Sequence, residues 1–113
     1  MPLSVEDVST LQDYLQGVMD KANHHALNVN EIALTLVGAI IWRKDEEPIK
    51  VLTREGEAKN VLWVKVNNNR YAFSYNHDMG EIEMRQGSIQ GDVLHSFTNI
   101  TSLAQIKQIF ESL

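Results

Sequence analysis

Four histidines are the side chains of this chain best suited to proton transfer near neutral pH. His24 and His25 are adjacent, so on a helix they point about 100° apart and do not readily share a metal. The chain has no HExxH motif and no histidine pair four residues apart. Both read as surface histidines at a helix end. His77 and Asp78 stand in the run Asn76-His77-Asp78-Met79-Gly80. An aspartate can orient an imidazole for general-base work. Asn, Asp and Gly are also common turn formers, and the turn is the plainer reading. His77 stays a binding candidate because it is the histidine with a carboxylate beside it. His95 alternates inward with Val93 and Phe97, or outward if the register slips, and a half-buried structural histidine is the expected reading.

Carboxylate pairs are the next possibility. Glu81 and Glu83 share one strand face near Arg85. A glycosidase-type pair needs its carboxyls across a cleft. On an outward strand face the two glutamates are expected to pair with Lys65 or Arg70. Asp45-Glu46-Glu47 reads as a solvated turn. There is no nucleophile elbow, phosphate loop or dinucleotide fingerprint. There is no cysteine, which excludes disulfides, thiol nucleophiles and thiolate metal sites. The sequence therefore assigns no catalytic residue, no metal ligand and no cofactor.

The elements that must hold these residues belong to one domain. The chain of 113 residues can bury about two thirds of its unfolded surface without staples. Hydrophobic residues make up 43% and charged residues 22%, which is globular usage rather than that of a disordered chain. The net charge is −5, so a broad phosphate-binding surface and direct nucleic-acid binding are not expected. The acidic excess lies in residues 1–33, where Glu6, Asp7, Asp13, Asp20 and Glu31 face Lys21 alone, a net of −4. No basic-then-apolar leader opens the sequence, and the expected location is the cytoplasm, away from membranes.

Ser4 to about Asn23 reads as an amphipathic helix, with Val8, Leu11, Leu15, Val18, Met19 and Ala22 on one stripe. Ser4 and Asp7 resemble a capping box. Ile32 to Trp42 is apolar except for Thr35 and Gly38. It is too short for a bilayer, which takes about twenty residues. Periodicity does not separate buried helix from buried strand here. Its length, and Asn28 with Glu31 as a start signal, favour a helix that ends in the charged stretch before Pro48. Being apolar nearly all round, this helix needs cover on several sides.

The second half reads as strands: Ile49–Thr53, Val61–Val66, Arg70–Tyr75, Glu81–Arg85 and Val93–Phe97. A two-residue turn at Asn68-Asn69 would pair Val66 with Tyr71, Val64 with Phe73 and Leu62 with Tyr75, all apolar and on one face. Ser102 or Thr101 should cap a last helix with Leu103, Ile106, Ile109, Phe110 and Leu113 as its buried stripe. The fold class is α+β: two N-terminal helices, an antiparallel meander of four to five strands, and a C-terminal helix.

In that register Trp63 lies on the face opposite Leu62 and Val64, with Ser74 across from it and Ala72 diagonal. Small neighbours leave a shallow apolar depression beside the indole. Either the 32–42 helix covers it, or it is a patch for a partner, a second subunit or a ligand. Trp63, Ala72, Ser74, Trp42 and His77 are thus the binding or interface candidates.

The runs Asn60-Val61-Leu62-Trp63-Val64, Arg70-Tyr71-Ala72-Phe73-Ser74-Tyr75-Asn76-His77, Ile82-Glu83-Met84-Arg85 and Phe97-Thr98-Asn99 resemble small orphan proteins carried on bacterial integron gene cassettes. The resemblance covers residues 60–113 best. It implies a compact α+β domain, often a homodimer, without an assigned activity, and it carries no active-site residue over. The leading expectation is a small interaction or ligand-binding module that forms a homodimer. One rival is a hydrolase or isomerase using His77 or His95 with a carboxylate. The other is an acidic regulatory partner of a nucleic-acid-binding protein.

Overall fold

The apolar run after Glu31 forms a helix, and the sheet beside it covers one side of it. The computed structural model describes residues 9–25, 27–54 and 57–113. In chain order the elements are α1 (Ser9–His25), α2 (Ile32–Arg43), β1 (Lys50–Arg54), β2 (Glu57–Val66), β3 (Asn69–Asn76), β4 (Glu81–Gln86), β5 (Val93–Phe97) and α3 (Leu103–Glu111). The strands form one antiparallel sheet in the order β1-β2-β3-β4-β5. This is the expected α+β arrangement, with the meander at five strands. The Ser4–Asp7 capping box and the side chains of His24 and His25 lie outside the described residues.

One sheet face carries the core. Leu62, Val64 and Val66 of β2, Tyr71 and Phe73 of β3, Met84 of β4 and Phe97 of β5 form one buried cluster with Ala22 of α1, Ile32, Leu36 and Ile40 of α2, and Ile106 and Phe110 of α3. The α2 contributors recur every four residues, which is one stripe of a helix. Phe110 stacks on Phe73 with ring centroids 6.3 Å apart. Leu103 departs from the expected α3 stripe: it is 66% exposed, because α3 turns Ile106 and Phe110 to the core and leaves its first turn beyond the sheet's cover.

The N-terminus of α2 is capped from far away in sequence. Glu31 is the capping residue by position, but its side chain makes no capping bond. Instead Asn99 Oδ1 accepts from the backbone N–H groups of Glu31 and Ile32 at 3.0 and 2.9 Å. The same amide donates to the Leu27 carbonyl at 2.9 Å and to Asn30 Oδ1 at 2.8 Å, and the Asn99 N–H donates to the Asn28 carbonyl at 2.7 Å. Helix starts leave four N–H groups without internal partners; here a remote amide takes that of Ile32, and those of Ala33 and Leu34 go to the Val29 and Glu31 carbonyls. The cap of α3 is local, as the sequence suggests: Ser102 Oγ accepts from the Gln105 N–H at 3.1 Å.

The β2–β3 register differs from the one expected. The turn is Asn67-Asn68, both with positive φ (51° and 68°), and Val66 faces Asn69, Val64 faces Tyr71 and Leu62 faces Phe73. The shift is two residues, so every side chain keeps its face. Three consecutive asparagines are equally able to adopt the left-handed conformation. The choice is made by Asp45, whose carboxylate accepts from the Asn67 and Asn68 N–H groups at 2.8 and 2.7 Å. Asp45 N–H donates in turn to the Lys65 carbonyl at 2.8 Å.

Two outcomes follow for stability. Asn99→Ala should lower it by about 2–3 kcal/mol in chemical denaturation, combining a lost cap with unpaired polar groups. At the hairpin, Asn68→Gly should be neutral or slightly stabilising, whereas Asn68→Val should cost about 1 kcal/mol or more because a β-branched residue resists positive φ. Equal melting temperatures for the Gly and Val variants would contradict the turn placement.

Candidate functional site

Two surfaces stand apart from the core. The first is the sheet face opposite the helices. One row crosses it: Lys50 of β1 faces Trp63 of β2, Trp63 faces Ala72 of β3, and Ala72 faces Arg85 of β4. Period-two alternation puts Val61, Lys65, Arg70, Ser74 and Glu83 on the same face. Trp63 is half-buried, and α2 lies across the other side of the sheet, so it does not cover the indole. Ala72 is 0% exposed, closed in by its cross-strand neighbours Trp63 and Arg85. Trp63 thus faces Ala72 rather than Ser74, as the two-residue register difference requires. The Arg70 guanidinium lies over the indole, 5.5 Å from the ring centroid.

Arg85 is held at both ends. Its Nη1 donates to the Gly91 carbonyl at 2.9 Å and its Nη2 to Glu83 Oε1 at 2.9 Å. Gly91 approaches the Gln86 carbonyl so closely that an added Cβ would lie 1.8 Å from it, so only glycine can present its carbonyl there. Asn76 Nδ2 donates to Glu83 Oε2 at 3.3 Å. The partner of Glu83 is therefore Arg85, not Lys65 or Arg70; Lys65 pairs with Glu47 at 3.3 Å. The Arg85 hydrogen bond holds the Glu83 carboxyl below its ordinary value. Burial works in the opposite direction, and the Asn76 bond adds to the lowering. Lys50 and Arg70, both exposed, have no carboxylate partner among the described residues.

The second surface is on the helix side. Thr35, Gly38, Ala39 and Trp42 of α2 and Leu103, Ile106 and Lys107 of α3 line an open groove of about 320 Å³. Leu34, Ile41 and Trp42 project from α2 beside it, and Trp42 is 52% exposed.

The sequence-predicted candidates therefore separate. Trp63, Ala72 and Ser74 come together on the open sheet face, whereas Trp42 belongs to the helix-side groove. His77 is exposed in the β3–β4 turn, edge-on to Tyr75 at 4.8 Å. That turn is built as expected: Asn76 Oδ1 accepts from the Asp78 and Met79 N–H groups. His95 is exposed rather than half-buried, because β5 is an edge strand and a register shift separates His95 from Val93 opposite β4. Among the described residues neither His77 nor His95 bonds a carboxylate, and no group of three potential metal ligands occurs. Sequence reasoning missed Leu34, Ile41 and Leu103 as surface residues, and Lys50 and Arg70 as neighbours of Trp63. Strand alternation carried a signal for Arg70; nothing local distinguished Leu34 from the buried Leu36.

Three helices on one face of a sequential five-stranded antiparallel meander define an α+β class. Within that class, a family model described as Integron cassette protein VCH_CASS1 chain matches residues 11–107, and the chain belongs to that family. The match reaches well beyond residues 60–113, taking in most of α1 and all of α2. No curated protein compared with the chain matches it. No helix among the described residues is long and apolar enough to cross a membrane.

A carboxyl whose pKa is lowered on folding stabilises the protein above its unfolded pKa, and that contribution is lost as pH falls through the folded value. Melting temperature should therefore fall on acidification in the range below the ordinary carboxylate pKa. Glu83→Gln should flatten part of that acid limb in a pH series of thermal melts; an unchanged limb would mean that the Glu83–Arg85 pair is uncoupled from folding.

Proposed function

We propose that the protein is a small interaction module that associates with a second copy of itself through the α2–α3 face. The observation that carries this reading is Gly38. A methyl group added there would meet nothing within 4 Å, so packing within one chain makes no demand for glycine. Yet a helix-interior glycine costs about 1 kcal/mol relative to alanine. Gly38 lies between the exposed Leu34 and Ile41, where a missing side chain lets another helix approach closely.

Two further features fit a two-fold axis placed near Gly38. Such an interface uses the same patch twice, and this patch offers both projecting side chains and an apolar groove. An antiparallel crossing also sets Glu31 at the start of one α2 against Arg43 and Lys44 at the end of the other. Exposed apolar patches on small proteins commonly mark such contacts.

The test is sedimentation velocity at micromolar concentration. The natural chain should run at twice 12.8 kDa. Ile41→Glu should shift it to the monomer without a large loss of thermal stability. Gly38→Ala should weaken association while stabilising the isolated chain by up to about 1 kcal/mol. A single 12.8 kDa species for the natural chain would overturn the reading.

A further inference from the structure

We propose that the open sheet face binds a small planar anion, an aromatic ring carrying a carboxylate or phosphate, against Trp63 and the cations beside it. The proposal is independent of self-association, which uses the other side of the sheet. Its basis is the chemistry gathered around Trp63. The Arg70 guanidinium lies over the indole, 5.5 Å from its centroid, and its outer planar face is one on which a ligand ring can stack. Lys50 stands directly across from Trp63 on β1. Lys50 and Arg70 are cations of this face without a carboxylate partner among the described side chains, on a protein whose net charge is −5.

The floor and far wall are pre-formed. Ala72 is fully buried, closed over by Trp63 and Arg85, so those two side chains form the floor a ligand would meet. Arg85 beyond it is fixed by Glu83 and Gly91. A site whose walls are already held loses little freedom on binding.

The surrounding charges limit the ligand's size. Glu47 flanks the row at Lys65, and Glu83 flanks it at Arg85. A polyanionic strand longer than a nucleotide or two would meet these carboxylates. A second copy laid face to face would bring Lys50 and Arg70 against their own counterparts. Both considerations favour a compact ligand with one anionic group.

Isothermal titration calorimetry of the natural chain tests this, with adenosine monophosphate and benzoate as probes and adenosine and inorganic phosphate as controls. Saturable binding of either aromatic anion is expected, with the controls about tenfold weaker or more, since each lacks either charge or ring. Arg70→Ala and Lys50→Ala should each weaken the bound probe about two- to fivefold, the scale of one exposed cation contact. In proton–nitrogen correlation spectra the Trp63 indole N–H should shift and that of Trp42 should not. The proposal is overturned if neither probe binds, if the two alanine variants bind equally well, or if the Trp42 resonance moves instead. Tighter, steeply salt-dependent binding of a single-stranded oligonucleotide would also overturn it, by making the face a nucleic-acid surface.

Discussion

The architecture hangs on one side-chain amide. Asn99 meets the first N–H groups of α2, the carbonyl of Leu27 and the side chain of Asn30. It thereby ties the α1–α2 connection to the loop after the last strand. That loop is itself stiff: the Thr98 N–H donates to Thr101 Oγ1, and the Thr101 N–H returns to the Thr98 carbonyl. Ser102, directly after Thr101, caps α3. Residues 98–102 therefore terminate two helices at once. This sets where α2 begins over the sheet and where α3 begins beside α2. The helix-side groove, formed between those two helices, is a consequence of that placement.

Asp45 plays the corresponding part at the other end of α2. It accepts from both N–H groups of the Asn67-Asn68 turn and donates to the strand before it, so the exit of α2 and the first hairpin share a clamp. Between the two anchors α2 has little freedom to rotate. Ile32, Leu36 and Ile40 are directed at the sheet, and Leu34, Gly38 and Ile41 are left outward. The orientation of the bare α2 stripe is thus decided by two polar residues at its ends as well as by hydrophobicity along it.

These anchors mark the boundary of what was legible in the sequence. Element types and order were readable because each strand alternates with period two and α2 exceeds the length of an ordinary strand. Faces were readable for the same reason, and Trp63, Ala72 and Ser74 do share one. Partners across strands were not readable at the hairpin, because Asn67, Asn68 and Asn69 are chemically equivalent and the deciding group lies 22 residues away in Asp45. The start signal at Asn28 and Glu31 was similarly incomplete, since the capping atom belongs to a residue 67 positions on from Ile32. Leu103 and His95 were misjudged because helix or strand periodicity says which way a side chain points, not whether anything lies there to cover it. Lys50 entered the Trp63 neighbourhood only through strand pairing, which no local pattern encodes.

The order of the strands has a kinetic consequence. Every ladder joins chain neighbours, so the sheet can assemble by successive hairpin closures, each a short loop with a small entropic barrier. The Asn67-Asn68 turn, with two residues already suited to positive φ, is the natural place for that zipping to start. The helices are in a different position. Docking α2 against the loop after β5 closes some seventy residues of chain, a contact that gains little until the strands between are in place. Hairpins early and helix docking late is therefore the sequence of events this topology favours. In the interval before docking, the apolar sheet face that later becomes the core stands open to water and to other chains. Most of its aggregation hazard is concentrated in that interval.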